Sequence, residues 1–146
     1  MGDAPAAPVA RRILALDPGE RRVGLAVSDP GGTVALGLPT FAAGRGRNLV
    51  DHLRELLRAY DVERVVIGHP RMLSGRTGPA ARRAEALARR LRRELGIGVD
   101  LWDERLTTVQ AERILQGTGA PRGARDRLAA TLILQSYLDH RRGERA

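Results

Sequence analysis

An apolar run, Ile13-Leu14-Ala15-Leu16, ends on a single carboxylate, Asp17. Apolar residues at successive positions predict a strand buried on both faces. An acid there is costly unless it is paired or binds a metal. Gly19 and Gly24 permit turns and close approach by other backbone, and Val23 to Val27 reads as a returning strand. The pattern places a carboxylate on the central strand of a sheet, beside a hairpin. The simpler alternative is that Asp17 only caps the turn.

Length and composition bound the rest. The 146 residues suit one domain with a proper core, with a domain predicted at 11–140 and loose tails at 1–10 and 141–146. No apolar stretch approaches the roughly 20 residues of a membrane span. Arg11-Arg12 interrupts Val9 to Leu16, which argues against a signal peptide. The lack of cysteine removes disulfides and thiolate metal sites, and predicts a cytoplasmic protein. The formal charge is +8, and all 25 basic residues are Arg. Arg makes forked contacts to phosphate, which makes nucleic acid the natural partner, although a GC-rich genome would give the same Arg preference. Phe41, Tyr60, Trp102 and Tyr137 are the only aromatics of the Phe, Trp and Tyr class. That scarcity argues against a base-stacking platform for single strands.

Strands are predicted at Arg12–Asp17, Arg22–Ser28 and Thr33–Leu38, the last two joined by Asp29-Pro30-Gly31-Gly32. An amphipathic helix follows over Asn48–Tyr60, then a short buried strand over Arg64–Gly68. A Gly/Pro-rich loop leads to a second helix over Pro79–Leu95, with Pro79 in its first turn and Gly96 at its end. A fifth strand spans Gly98–Trp102. Another helix runs from Thr107 or Thr108 to about Gln116, a loop covers Gly117–Gly123, and a final helix covers Arg125–His140. The order describes an α/β fold: a five-stranded mixed sheet flanked by helices, with three antiparallel strands and then parallel crossovers.

Two further acids stand out. Glu104 lies just past the carboxyl end of the fifth strand, where open α/β sheets place their sites. Its plain reading is a solvated turn. Asp126 shares a helical face with Ala129, Ala130, Ile133 and Tyr137, so it faces the sheet. Ala129-Ala130 would let the helix come close enough for a short carboxylate to reach it. The alternative is that Asp126 merely favours the positive end of its helix. Three acids from two strands and a helix suit a hard cation, Mg²⁺ or Mn²⁺. Two such ions about 4 Å apart activate water and stabilise the leaving oxygen of a phosphodiester.

Of the three histidines, only His69 lies near enough in the pattern to approach this site, and an ordinary loop position is its plainer reading. The loop from Gly68 to Gly78 lacks the Gly-Lys-Ser/Thr of a Walker A loop. Its flexible backbone, hydroxyls and arginines nevertheless suit phosphate. Arg71, Ser74 and Arg76 in this loop, with Arg105, are the candidate nucleic-acid contacts. The second helix carries an Arg stripe, Arg82, Arg89 and Arg93, whose plain reading is a solvated face.

Four ordered blocks carry a resemblance over about Ile13 to Asp139. They are Leu16-Asp17-Pro18-Gly19 with Arg22 to Asp29, and Val66 to Pro70 with Gly75 and Gly78-Pro79. Then come Trp102 to Thr108 with Ala111-Glu112, and Asp126 with Ala129-Ala130 and Ile133 to Asp139. In these the chain resembles the YqgF/RuvX family of RNase H-like nucleases, described as Holliday junction resolvase-like and as pre-16S rRNA processing nucleases. The resemblance implies an RNase H-like fold, a divalent-metal site and a cytoplasmic location. The family's acidic triad falls on Asp17, Glu104 and Asp126.

The expected function is a divalent-metal-dependent endonuclease, with those three acids holding the metal as a pair of ions. The resemblance supports both pre-16S rRNA 5′-end processing and four-way DNA junction cleavage. Junction resolution needs two symmetric cuts and hence a homodimer; RNA trimming does not. A non-catalytic protein that binds structured nucleic acid is the alternative. An ATPase of the actin or sugar-kinase type would need two such domains, and this chain has room for one.

Overall fold

The computed structural model describes residues 11–44, 48–70, 78–103 and 122–145. Five strands form one sheet: β1 (Arg12–Pro18), β2 (Arg22–Ser28), β3 (Ala35–Ala42), β4 (Val62–His69) and β5 (Gly98–Asp103). Their order across the sheet is β3-β2-β1-β4-β5. The β1–β2 and β2–β3 pairs are antiparallel, and β1–β4 and β4–β5 are parallel. The mixed sheet is therefore the expected one, with β1 at its centre.

Side-chain alternation along the strands builds two cores. Leu14, Leu16, Leu25, Val65 and Ile67 face one side, where they meet Val50 and Leu53 of α1 (Leu49–Ala59) and Ala84, Ala88 and Leu91 of α2 (Pro79–Leu95). Ile13, Ala15, Ala26 and Val66 face the other side and meet Ala130, Ile133 and Leu134 of α3 (Arg122–Arg145). On the α3 side Ala15 and Ala26 are small, which lets that helix lie close. On the opposite side the strands present leucines to α1 and α2.

Local chemistry fixes the element ends. The Asn48 side chain accepts from the Val50 N–H at 2.8 Å and caps α1. Gly96 closes α2 in the left-handed conformation at φ 62°. In the β2–β3 turn, Asp29 Oδ1 accepts from the N–H groups of Thr33 and Val34 at 2.7 and 2.9 Å. The Val34 and Thr33 bonds hold the Asp29 carboxyl below its ordinary pKa.

Three boundaries differ from the sequence expectation. β3 runs to Ala42, past Pro39, where a strand was expected to stop. Its register skips: Leu38 opposes Leu25 and Phe41 opposes Val23, so Pro39 and Thr40 together face Gly24. This is a β-bulge on an edge strand, and it absorbs a residue that has no N–H to donate. The final helix begins at Arg122 and continues to Arg145, through a segment expected to be a loose tail. Arg142 reaches back to Asp139 at 2.6 Å and Arg141 stacks over the Tyr137 ring, which favours another turn. His69 ends β4 in register with Asp103 instead of opening the loop. The expected helix over 107–116 lies outside the described residues. No helix among the described residues is long and apolar enough to cross a membrane.

Candidate active site

Asp17 stands one residue from the end of β1, directly across the ladder from Gly24 of β2. Residues on β1 alternate between the two cores, so Asp17 projects on the side of Ile13 and Ala15, toward α3. Paired residues of antiparallel strands have Cα atoms about 5 Å apart. Gly24 thus marks a point beside Asp17.

Asp126 arrives at that same point from α3. A Cβ built on Gly24 would clash with the Asp126 carbonyl, so the helix backbone rests on the glycine. Gly37 of β3 gives a second seat: a Cβ there would strike the Arg127 side chain. Polar ties hold the helix in this seat. Arg127 Nε donates to the Leu38 carbonyl at 3.1 Å. Gln135 accepts from the Ala35 N–H at 3.0 Å and donates to the Thr33 carbonyl at 2.8 Å. Ala130, fully buried, completes the close approach. The inward orientation read from the Asp126, Ala130, Ile133 and Tyr137 face is the one the packing adopts.

The Asp126 carboxylate is only partly satisfied. Arg22 Nε lies 3.1 Å from its Oδ2, and both side chains are about one-third exposed. Oδ2 itself is shielded from solvent and accepts no hydrogen bond. A shielded carboxylate oxygen with charge compensation but no donor is an anomaly in a folded protein. It suits a ligand position for a hard cation. Among the described residues no group of three His, Asp or Glu side chains gathers to hold a metal. Asp17 and Asp126 are described; Glu104 lies outside the described residues. β5 ends at Asp103, the residue before it.

The remaining predicted residues divide cleanly. Arg71, Ser74, Arg76 and Arg105 all lie outside the described residues. His69 is on the wrong face for the acids. It projects on the side of Val65 and Ile67, where it is buried and its Nε2 lies 3.0 Å from Glu85 Oε1 of α2. Strand alternation explains this: His69 is two residues beyond Ile67, whereas Asp17 shares the opposite face with Ala15. His69 ties β4 to α2 and stays away from the acids.

Sequence reasoning missed Arg22. The signal was available, because Arg22, Gly24 and Ala26 alternate onto one face of β2. The close approach by other backbone expected at Gly24 is made by α3, whose Asp126 backbone rests on it.

The chain as a whole is similar to known proteins. The family model described as "RuvX: Holliday junction resolvase" matches residues 11–140. A relative from Syntrophus aciditrophicus named "Putative pre-16S rRNA nuclease" is 50% identical over 132 residues, covering 88% of each chain. One of the same name from Moorella thermoacetica is 47% identical over 135 residues, covering 88% of this chain and 94% of that one. Among solved structures, T. thermophilus RuvC in complex with a Holliday junction substrate matches with a TM-score of 0.56 at 17% identity. That match covers 91% of this chain and 96% of the RuvC chain. At that identity the likeness speaks for the fold, which is RNase H-like. With the matched model spanning residues 11–140 and relatives at up to half identity, the chain belongs to the RuvX (YqgF) family of nucleases.

Proposed function

We propose that this protein is a divalent-metal-dependent endonuclease that hydrolyses nucleic-acid phosphodiesters, with Asp17, Glu104 and Asp126 as the metal ligands. One observation carries the reading. Asp17 and Asp126, from opposite ends of the chain, both sit at Gly24, one across the ladder and the other by its backbone, and the Asp126 carboxylate keeps a shielded oxygen without a donor. All-oxygen donors favour Mg²⁺ or Mn²⁺ over softer ions. When bound, such ions supply a stronger nucleophile from water and offset charge developing on the phosphodiester.

The chain's own residues do the positioning. Asp17 is fixed by the central strand and has little freedom to move. Asp126 is set by the depth of α3 on Gly24 and Gly37. Arg22 holds Asp126 toward the sheet and offers a cation beside the acids, where a substrate phosphate would arrive. The excess of Arg offsets the repulsion that carboxylates alone would exert on a polyanion.

The substrate reading leans toward RNA. Precursor 16S rRNA is named for relatives at up to 50% identity, whereas the four-way junction belongs to the family model's description and to a structure at 17%. The deciding experiment offers purified pre-16S rRNA and a mobile four-way DNA junction side by side, with and without Mg²⁺, and with the Asp17→Asn protein as control. Metal-dependent cleavage of the RNA, lost in the control, is the expected result. Cleavage of the junction alone would transfer the reading to DNA. Tight binding of either with no cleavage in any metal would make the protein a non-catalytic nucleic-acid binder.

A further inference from the structure

A groove of about 550 Å³ lies at the β5 edge of the sheet, between that strand and α3. Its lining includes Arg64, Arg92 and Arg141, with Asp100 as the single acid. Asp100 is fully engaged: Oδ1 accepts from Arg64 at 2.9 Å and Oδ2 from the Tyr137 hydroxyl at 2.8 Å. One arginine is thereby neutralised within the wall. Arg92 and Arg141 leave the groove with excess positive charge.

The same groove gathers rings. Trp102 meets Tyr137 edge-on, with centroids 5.4 Å apart, and the His140 ring lies 5.2 Å from Trp102. The indole N–H donates to Ser136 Oγ at 3.1 Å, which fixes the ring plane. The chain holds one Trp and two Tyr in all, yet half of its Phe, Trp and Tyr residues stand here. Their scarcity in the sequence argued against base stacking, and their concentration in space removes that argument.

The position of the groove is informative. Trp102 pairs with Gly68, and Leu16 pairs with Ile67. Following the ladder one step, Asp17 and Trp102 stand at the same level two strands apart. Trp102 also packs against the α3-side core, the side toward which Asp17 projects. Two strand spacings amount to about 10 Å. For the Trp102 end of the groove that separation is of the order of one to two nucleotides of extended strand; the groove runs from there away from the acids, toward Arg92 at Val99 and Arg141 further along α3.

We propose that this groove binds a nucleotide of the single-stranded segment flanking the scissile bond. Arg92 and Arg141 contact its phosphate, and Trp102 with His140 receives its base. Stacking on rings combined with Arg contacts is the recurring chemistry of single-strand recognition, and it tolerates any base sequence. A strand that continues from this nucleotide toward Asp17 gains further contacts that a free mononucleotide lacks, so the strand is the better occupant. The inference rests on the nuclease reading for its choice of ligand, but its test does not require cleavage.

Trp102 is the only tryptophan, so its fluorescence reports on the groove directly. The full-length protein, in EDTA to prevent turnover, is titrated with a single-stranded RNA hexamer, a blunt RNA duplex and AMP. The expected result is saturable quenching by the hexamer, weaker for the duplex and for AMP. Arg92→Ala and Arg141→Ala should each weaken hexamer binding by about fivefold, with a shallower salt dependence. Because Arg92 also holds the Val99 carbonyl at 2.7 Å, His140→Ala serves as a second, less structural variant. No quenching by the hexamer would overturn the proposal, as would quenching unchanged in all three variants. AMP binding as tightly as the hexamer would overturn it in favour of a free-nucleotide site. A protein that quenches normally but cleaves nothing refutes the nuclease reading and supports the groove; one that cleaves without quenching refutes the groove alone.

Discussion

Arg22 and Asp126 form an ion pair without a hydrogen bond: Nε stands 3.1 Å from Oδ2, and Oδ2 has no donor. The pair is partly exposed, which limits its worth to about 0–1 kcal/mol. Arg22 is therefore a weak competitor for the carboxylate. Arg22→Ala should tighten Mn²⁺ binding by up to about fivefold, the equivalent of about 1 kcal/mol. Paramagnetic resonance of free Mn²⁺ measures it. Unchanged affinity would show that Arg22 and the ion do not share Asp126.

Removing the acids themselves should separate stability from activity. Asp17→Asn, Glu104→Gln and Asp126→Asn are each expected to abolish nearly all metal-dependent cleavage. Asp17→Asn should be the most severe, since the central strand gives that carboxylate least freedom to be replaced. Asp126→Asn should change unfolding free energy by about 1 kcal/mol or less, because it forfeits only a partly exposed ion pair. Parallel chemical denaturation and cleavage assays test both halves. Near-normal turnover in any variant would remove that acid from the site.

The seat of α3 offers a geometric test. Gly24→Ala inserts a methyl against the Asp126 backbone, and Ala130→Leu overfills the fully buried contact behind it. Overpacking of this kind costs about 1–3 kcal/mol. The expected loss of activity is larger, since moving a reacting group by about 1 Å costs about a hundredfold in rate. Melting and metal titration of turnover distinguish the two effects. Normal cleavage in both variants would mean that helix depth does not position Asp126.

Tyr137 gives a pH signature. Burial first, and then its hydrogen bond to Asp100, push its phenol up from 10.0 to about 12. A raised pKa means that the folded state holds the proton more tightly than the unfolded chain. The stabilisation is therefore full below about 10, and is lost as pH rises through about 12. Ultraviolet titration of a Tyr60→Phe protein leaves Tyr137 as the only phenol to follow. Its ionisation should coincide with alkaline unfolding, and an ordinary titration near 10 in the folded protein would contradict the part-buried bond to Asp100.

The sheet was legible because its strands announce themselves. Continuous apolar runs at Ile13 to Leu16 and Val65 to Ile67 mark central parallel strands, and alternation on the last helix put Asp126 on the inner face. What escaped depended on contacts distant in sequence. Pro39 stays in a strand only because a bulge opposite Gly24 accommodates it. His69 was assigned to a loop because its partner, Glu85, sits sixteen residues away on another element. The grouping of Trp102 with Tyr137 and His140 needs β5 and α3 side by side, which no local pattern encodes.

The two margins of the sheet are blunted by different means. On β5, the Val99 carbonyl is taken by Arg92. On β3, Pro39 and the bulge break the row of amides. Neither rim offers an incoming chain an uninterrupted ladder, the surface from which fibrillar growth begins. Copies of the folded chain can thus crowd against one another without their sheets fusing.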